Sequence, residues 1–362
     1  MTEPSEEYRR KTMGKEFRQS GKGAAGNPGS PHLPSVTDAD GVRWTDYRRT
    51  LTPHYHVVWR DIALCWVSLV AGVAAVPPAT AAGPTGVAVV TTLAAGWIGW
   101  WLHALFLFGH EAAHGNLARR RRRNDRLGDW SVWLLFGSTT PQYRRTHMAH
   151  HTHLGTHQDT ETTYHLCLSV ANILKGMTGV RVLEVLLRDR RAGASRAPRA
   201  GAARDGTPSA RRGSGLAVFR QVLLAARTPL LHLLVLAALS TAGWWPAALA
   251  WAVGVGCVFP LCAMLRTVAE HRILDASCAT DFRTVEHGPL NRLFGEDPLS
   301  RTFGAAGFNK HLLHHWDPAI SYTRFREMEE FFRRTPLARE LESSRTGYLT
   351  VLRTMTAEAR RG

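Results

Sequence analysis

Three clusters of histidine carry the chemistry of this sequence: His110-Glu-Ala-Ala-His114, His147-Met-Ala-His150-His151 and His311-Leu-Leu-His314-His315. They hold eight of its 18 histidines. Neutral imidazole is the commonest side-chain ligand for zinc, copper, iron and nickel. One tetrahedral zinc is satisfied by four ligands, so eight point to a centre with more than one metal. Residues i, i+3 and i+4 of a helix share a face, so each cluster can present its imidazoles from one side of a turn. Only the first contains a carboxylate, Glu111, and none contains a cysteine.

Two other classes compete for these residues. His110-Glu111-x-x-His114 fits the H-E-x-x-H pattern of zinc peptidases, with the glutamate as general base. A membrane zinc hydrolase of that kind needs one further ligand and leaves the second and third clusters unused. A histidine-rich metal transporter would place ionisable groups inside its membrane spans, whereas these clusters lie outside the apolar stretches.

Four apolar stretches must position the clusters. They run Val57–Val76, Gly86–Phe108, Thr228–Trp245 and Pro246–Leu265, and the second has 23 residues without a formal charge. A helix crossing a bilayer core needs about 20 apolar residues. The connectors inside each pair, Pro77–Thr85 and the region of Ala242–Pro246, are uncharged, while arginines crowd 119–123 and 181–220. Positive residues stay cytosolic, so two hairpins are expected to enter from and return to the cytosol. All three clusters then fall on one side of the membrane. The expected architecture is all-α and integral to the membrane, with four transmembrane helices in two hairpins. A cytosolic helical cap holds a histidine-rich di-metal site.

The net charge of +16 comes from arginine blocks beside apolar segments, which favours membrane topology over a nucleic-acid partner. The five cysteines form no C-x-x-C pair, so neither a disulfide framework nor a thiolate metal site is expected. The first 30 residues lack an apolar core, so no cleavable signal peptide is expected and the termini are read as cytosolic. Residues 1–43 read as a disordered polar segment and 44–322 as the membrane domain. Within that domain Arg188–Gly215, rich in Arg, Ala, Gly, Ser and Pro, reads as a disordered insertion. Residues 323–362 read as a charged helical tail. Leu166–Leu187 has the spacing of a helix lying along the interface.

The clusters, in this order around two hairpins, resemble the membrane fatty-acid desaturase and hydroxylase superfamily, whose motifs run H-x(3,4)-H, H-x(2,3)-H-H and H-x(2,3)-H-H. The similarity spans roughly residues 44 to 322. It includes Gly109-His110-Glu111-x-x-His114-Gly115 and the stretch from His151 to Asp159 and Glu161. That stretch resembles the family's H-H-x-x-T-N-x-x-x-D-P-E/D, with His157 and Thr160 at the positions of the family's Asn and Pro. Arg266-Thr-Val-Ala-Glu270-His271 resembles the family's R-x-x-x-E-H, and Asn309 matches its N-x-H-x-x-H-H context.

The resemblance implies a non-haem di-iron centre held by His110, His114, His147, His150, His151, His271, His311, His314 and His315. Glu111, Asp159, Glu270 and Asn309 would orient ligands or water behind them. It implies O2-dependent removal of hydrogen from an unactivated C–H bond of a fatty acyl or similar long apolar chain, carried by coenzyme A, a carrier protein or an intact lipid. Loss of a second hydrogen gives an alkene and capture of oxygen gives an alcohol. The alternative is a hydroxylase or ketolase of the same superfamily acting on a carotenoid or lipid-like natural product. The sequence has no cytochrome b5-like His-Pro-Gly-Gly segment, flavin fingerprint or iron–sulfur cysteine set. Electrons are therefore expected from a separate donor, a ferredoxin with its reductase.

Overall fold

The computed structural model describes residues 31, 33–178, 180, 184 and 215–361, apart from 275, 283, 287 and 289. The expected insertion Arg188–Gly215 lies outside them except for Gly215, as do residues 1–30. Among the described residues the chain is helical, with two isolated β-bridges, Thr37 with Arg43 and Leu293 with Arg345.

Helix α1 (Tyr55–Ala74) is followed by Pro77 and Pro78, which cannot continue it. Helix α2 (Gly83–His114) takes up Pro84 in its first turn, where a missing N–H costs nothing. It ends where Gly115 adopts φ +90° and its N–H bonds back to Ala112 O. Four further helices are α3 (Arg121–Ser131), α4 (Thr140–His153), α5 (Val170–Met177) and α6 (Gly215–Thr241). Helix α7 (Trp245–Val253) passes through a π-helical turn, Gly254–Val258, into α8 (Phe259–His271). The cap is completed by α9 (Pro298–Phe303), α10 (His311–Trp316), α11 (Phe325–Phe332), α12 (Ala338–Ser343) and α13 (Tyr348–Arg361).

Three of these helical runs are long and apolar enough to cross a membrane: Tyr55–Ala74, Gly83–His114 and Trp245–His271. The expected third crossing falls on α6, whose apolar stretch Ala226–Thr241 is shorter than a span. Leu64, Val67 and Val70 of α1 and Leu93 of α2 point outward and are more than half exposed, as lipid-facing side chains are. The crossing of α2 with the π turn is close. A Cβ on Gly99 would lie 2.3 Å from Val258 Cβ and 2.9 Å from Gly254 O. Only glycine permits that approach, which is how membrane helices gain packing contacts.

In the cap, α10 and α11 share a core of Leu312, Leu313, Trp316, Phe325, Met328 and Phe332. Tyr348, at the start of α13, stacks on Phe294 at 3.6 Å between ring centroids. Helix α5 leaves Val170 and Leu174 exposed while Gly176 abuts Met264. Contrary to the expectation from spacing, Cys167 and Cys278 are joined in a disulfide. They stand 111 residues apart, and only the tertiary fold brings together the two loops that carry them.

Candidate metal centre

The C-terminal turn of α2 delivers His110 and His114. Helix α4, started by a hydrogen bond from Gln142 N–H to the Thr139 hydroxyl, delivers His147, His150 and His151. Helix α10 delivers His311, His314 and His315, and the last residue of α8 is His271. Of these nine, eight are buried and His114 is partly exposed.

Their ring nitrogens converge. Nε2 of His110 lies 2.8 Å from that of His314, His314 2.8 Å from His151, His151 2.9 Å from His147, and His147 2.9 Å from His114. A second run joins His271 to His311 at 2.9 Å and His311 to His315 at 3.1 Å. His110, His114, His147, His151 and His314 form one group that could hold a metal ion. His150, His271 and His315 form another, and Glu270 with His271 and His311 a third that overlaps it.

A neutral imidazole carries one N–H and one lone pair. A ring of facing Nε2 atoms therefore cannot satisfy itself by hydrogen bonding, whereas a cation at its centre satisfies every lone pair. With metal–nitrogen bonds of about 2.1 Å, neighbouring ligands at right angles stand about 3.0 Å apart. The observed separations match that value. Burial, reinforced by neighbouring imidazoles, holds His147, His151, His311, His314 and His315 well below the ordinary imidazole range. They stay neutral, the form that binds metal. The residues present thus fit a pair of metals.

The four polar residues expected behind the ligands occupy different stations. Asp159 accepts from His150 Nδ1 at 2.9 Å. Burial would raise its carboxyl, but the hydrogen bonds from His150 and Tyr164 outweigh that and hold it below its usual range. Glu111 accepts from Asn116 at 3.1 Å and from the Ser321 hydroxyl at 3.2 Å, and stands 3.9 Å from His110 Nδ1. Glu270 pairs with Arg266 and lies 3.7 Å from His311 Nε2. Asn309 donates to Gly295 O at 3.2 Å and so braces the loop before α10 rather than an imidazole.

Several groups have no signal in the sequence. Tyr164 donates its hydroxyl to Asp159 at 2.6 Å, and Leu290 O accepts from His271 Nδ1 at 3.0 Å. Arg292 covers the end of α8 by donating to Ala269 O and Arg272 O, each at 2.7 Å. Arg144 donates to Ala113 O at 2.5 Å and Ala112 O at 3.0 Å while pairing with Asp125. Of the remaining histidines, His157 is exposed and pairs with Glu286. His103 is fully buried against Phe303.

Beside the centre lies a cavity of about 870 Å³. Its lining mixes apolar side chains, among them Val57, Leu64, Trp101 and Phe108, with charged ones, among them Arg60, Asp61, Lys310 and Glu329. Phe308, whose neighbours Gly307 and Asn309 line this cavity, places its ring 4.5 Å from that of His110 and 5.0 Å from that of His311.

The fatty acid desaturase profile matches residues 84–342, from the start of α2 through α12. The chain belongs to the fatty acid desaturase family. The match takes in every histidine of this desaturase-family centre. A stretch of 61 residues is also 38% identical to the beta-carotene ketolase of Paracoccus sp. (strain PC1). It covers 17% of this chain and 25% of the ketolase, so the chain spans about a quarter of that relative's length. Membership makes this desaturase relative an oxidoreductase by family.

Proposed function

We propose that this chain is a membrane-bound, O2-dependent di-iron oxidoreductase that desaturates a fatty acyl or similarly long apolar chain. The observation that carries the reading is the convergence of imidazole nitrogens into two adjacent groups. His110, His114, His147, His151 and His314 would hold one iron and His150, His271, His311 and His315 the other. Bound there, the irons would supply the oxidising chemistry that removes hydrogen from an unactivated C–H bond. The chain's own part is to fix ring orientation, through Asp159 on His150 and Leu290 O on His271, and to keep water from the buried rings. The mixed apolar and charged lining of the cavity supports a substrate with an apolar tail and a polar head.

In this reading α6 with α7–α8 completes a second hairpin, giving four crossings with both termini and the centre in the cytosol. The uncharged connectors and the arginine runs support that orientation. In this reading a separate ferredoxin and its reductase would supply the electrons. The local identity to a beta-carotene ketolase supports a second reading, oxygen insertion into a carotenoid or lipid-like product. The hydrolase reading loses ground because Glu111 is engaged by Asn116 and Ser321.

Metal analysis of purified protein, with product mass spectrometry after supplying ferredoxin, reductase and a panel of acyl substrates, tests this. About two irons per chain and a product 2 Da lighter than substrate are expected. A single zinc unaffected by His150→Ala would overturn it, and a product 16 Da heavier would move the reaction to hydroxylation.

A further inference from the structure

His103 places an imidazole inside α2, a helix long and apolar enough to cross a membrane. The side chain is fully buried. Neither its Nδ1 nor its Nε2 meets a hydrogen-bonding group of the protein. In the metal centre, by contrast, Nε2 of His110, His311, His314 and His315 faces another imidazole even where Nδ1 has no partner. Among the described residues His103 is the one buried histidine with both ring nitrogens in this state. Burying a polar group without a partner is costly, and an ionisable residue inside a membrane span marks a functional position.

The surroundings offer the ring apolar company. It lies 5.1 Å from the ring of Phe303, which lies 5.3 Å from that of Trp100. Val258, Leu261 and Met264 belong to the same apolar cluster as these two aromatics. One turn away on α2 stand Gly99, Phe106 and Leu107. Arg266, the charged side chain whose field reaches the ring, already donates to Glu270 and to the Thr267 hydroxyl.

His103 also stands in register with the metal centre. It precedes His110 by seven residues, so the two share a face of α2 about 10 Å apart along its axis. Trp101, Ala104 and Phe108, which line the cavity, turn toward the other side of the helix. A chain whose reacting carbon lies against His110 and which continues along the inner face reaches His103.

We propose that His103 is a substrate-recognition residue, and that the substrate is an apolar chain bearing a hydroxyl or carbonyl oxygen about 10 Å from the carbon that is oxidised. The inference deepens the oxidoreductase reading and rests on it. A neutral imidazole has one N–H to give and one lone pair to offer. A carbonyl takes the N–H, and a hydroxyl takes either. A site built to hydrogen-bond a substrate group rejects the analogue that lacks it, so His103 selects against a plain hydrocarbon chain. Phe303, whose ring covers His103, turns aside to admit the oxygenated one.

The test uses the full chain in nanodiscs, with octadecanoic acid and its positional series of mono-oxo and mono-hydroxy derivatives as probes. Binding and iron content are measured for the wild type, His103→Phe and His103→Gln. One position in the series is expected to bind wild type at least tenfold more tightly than octadecanoic acid. His103→Phe should bind the two alike, and His103→Gln, which keeps a donor and an acceptor, should recover part of the preference. Iron content should match wild type in both variants, because His103 stands too far along α2 to be a ligand. Wild type with no preference within the series overturns the inference, and that measurement needs no variant. So does a His103→Phe protein that keeps the preference, or one that loses every probe alike, which would make the ring a packing element. Wild type that shows the His103-dependent preference yet forms no product with iron, reductant and O2 upholds the recognition role and counts against the oxidoreductase reading instead.

Discussion

The Asp159 carboxylate accepts a hydrogen bond from His150 Nδ1 at 2.9 Å, which leaves Nε2 of that ring free to face His271 and His315. The same carboxylate takes the Tyr164 hydroxyl, so its own position is fixed from the far side. Asp159→Asn removes the charge that favours this tautomer. Metal affinity is expected to fall 10- to 100-fold, with Tyr164→Phe giving a smaller loss. Titration of the chelator-stripped protein with Fe(II) measures both, and unchanged affinity in Asp159→Asn would sink the orienting role.

Acid should destabilise the metal-free protein steeply. His147, His151, His311, His314 and His315 are held neutral in the fold but take protons near pH 6.5 when unfolded. Their contribution is complete above about pH 6.5 and is lost as the pH falls, by about 1.4 kcal/mol per histidine per unit. Asp159, with its carboxyl held low, adds a further loss below about pH 4. Thermal unfolding of stripped protein between pH 5 and 8 reads this directly. A flat profile would mean that the imidazoles are hydrated rather than buried.

Arg144 joins α3, α4 and the end of α2 through one guanidinium. Arg144→Ala removes the guanidinium partner of Asp125 and the side-chain donor to Ala113 O, while Ala112 O keeps Asn124 and the Gly115 N–H, and is expected to cost about 2–3 kcal/mol. Arg144→Lys should recover only part, because a point charge cannot serve three acceptors in fork geometry. Denaturation midpoints of the three proteins check this, and full rescue by lysine would count against the forked geometry.

Gly99 and Gly96 lie one turn apart on α2 with opposite surroundings. A Cβ at Gly96 meets nothing within 4 Å, whereas one at Gly99 collides with Val258 and Gly254 O. Gly99→Ala is expected to destabilise by about 1–3 kcal/mol through overpacking, and Gly96→Ala to be neutral or slightly stabilising. Equal melting temperatures for the two variants would show that the crossing is looser than described.

What could be read from the sequence was what a single turn of helix determines. Within each cluster the ligands are three or four residues apart, so local spacing displays them. His271 was visible because Arg266 and Glu270 accompany it within six residues. Leu290, Arg292, Arg144 and Ser321 act across the fold through groups that any sequence could carry, and Tyr164, only five residues from Asp159, belongs to no recognisable motif. The disulfide between Cys167 and Cys278 was hidden for the same reason. The expected stretch Thr228–Trp245 runs past the end of α6 at Thr241, because apolar composition continues through the turn into α7. Asn309 could be placed beside the third cluster from sequence, but its bond to Gly295 O depends on a loop that arrives from elsewhere.

Helix α2 runs unbroken from Gly83 to His114, about 48 Å at 1.5 Å per residue, against a hydrocarbon core of about 30 Å. In the proposed reading one rigid rod would therefore join the lipid to the metal site. The bilayer becomes a depth gauge for the oxidising centre. A thicker or thinner membrane shifts or tilts the rod as a unit, and with it the height of His110 and His114 above the lipid. In the proposed reading, the position along a substrate chain that reaches the metal site would then depend partly on the membrane around the protein.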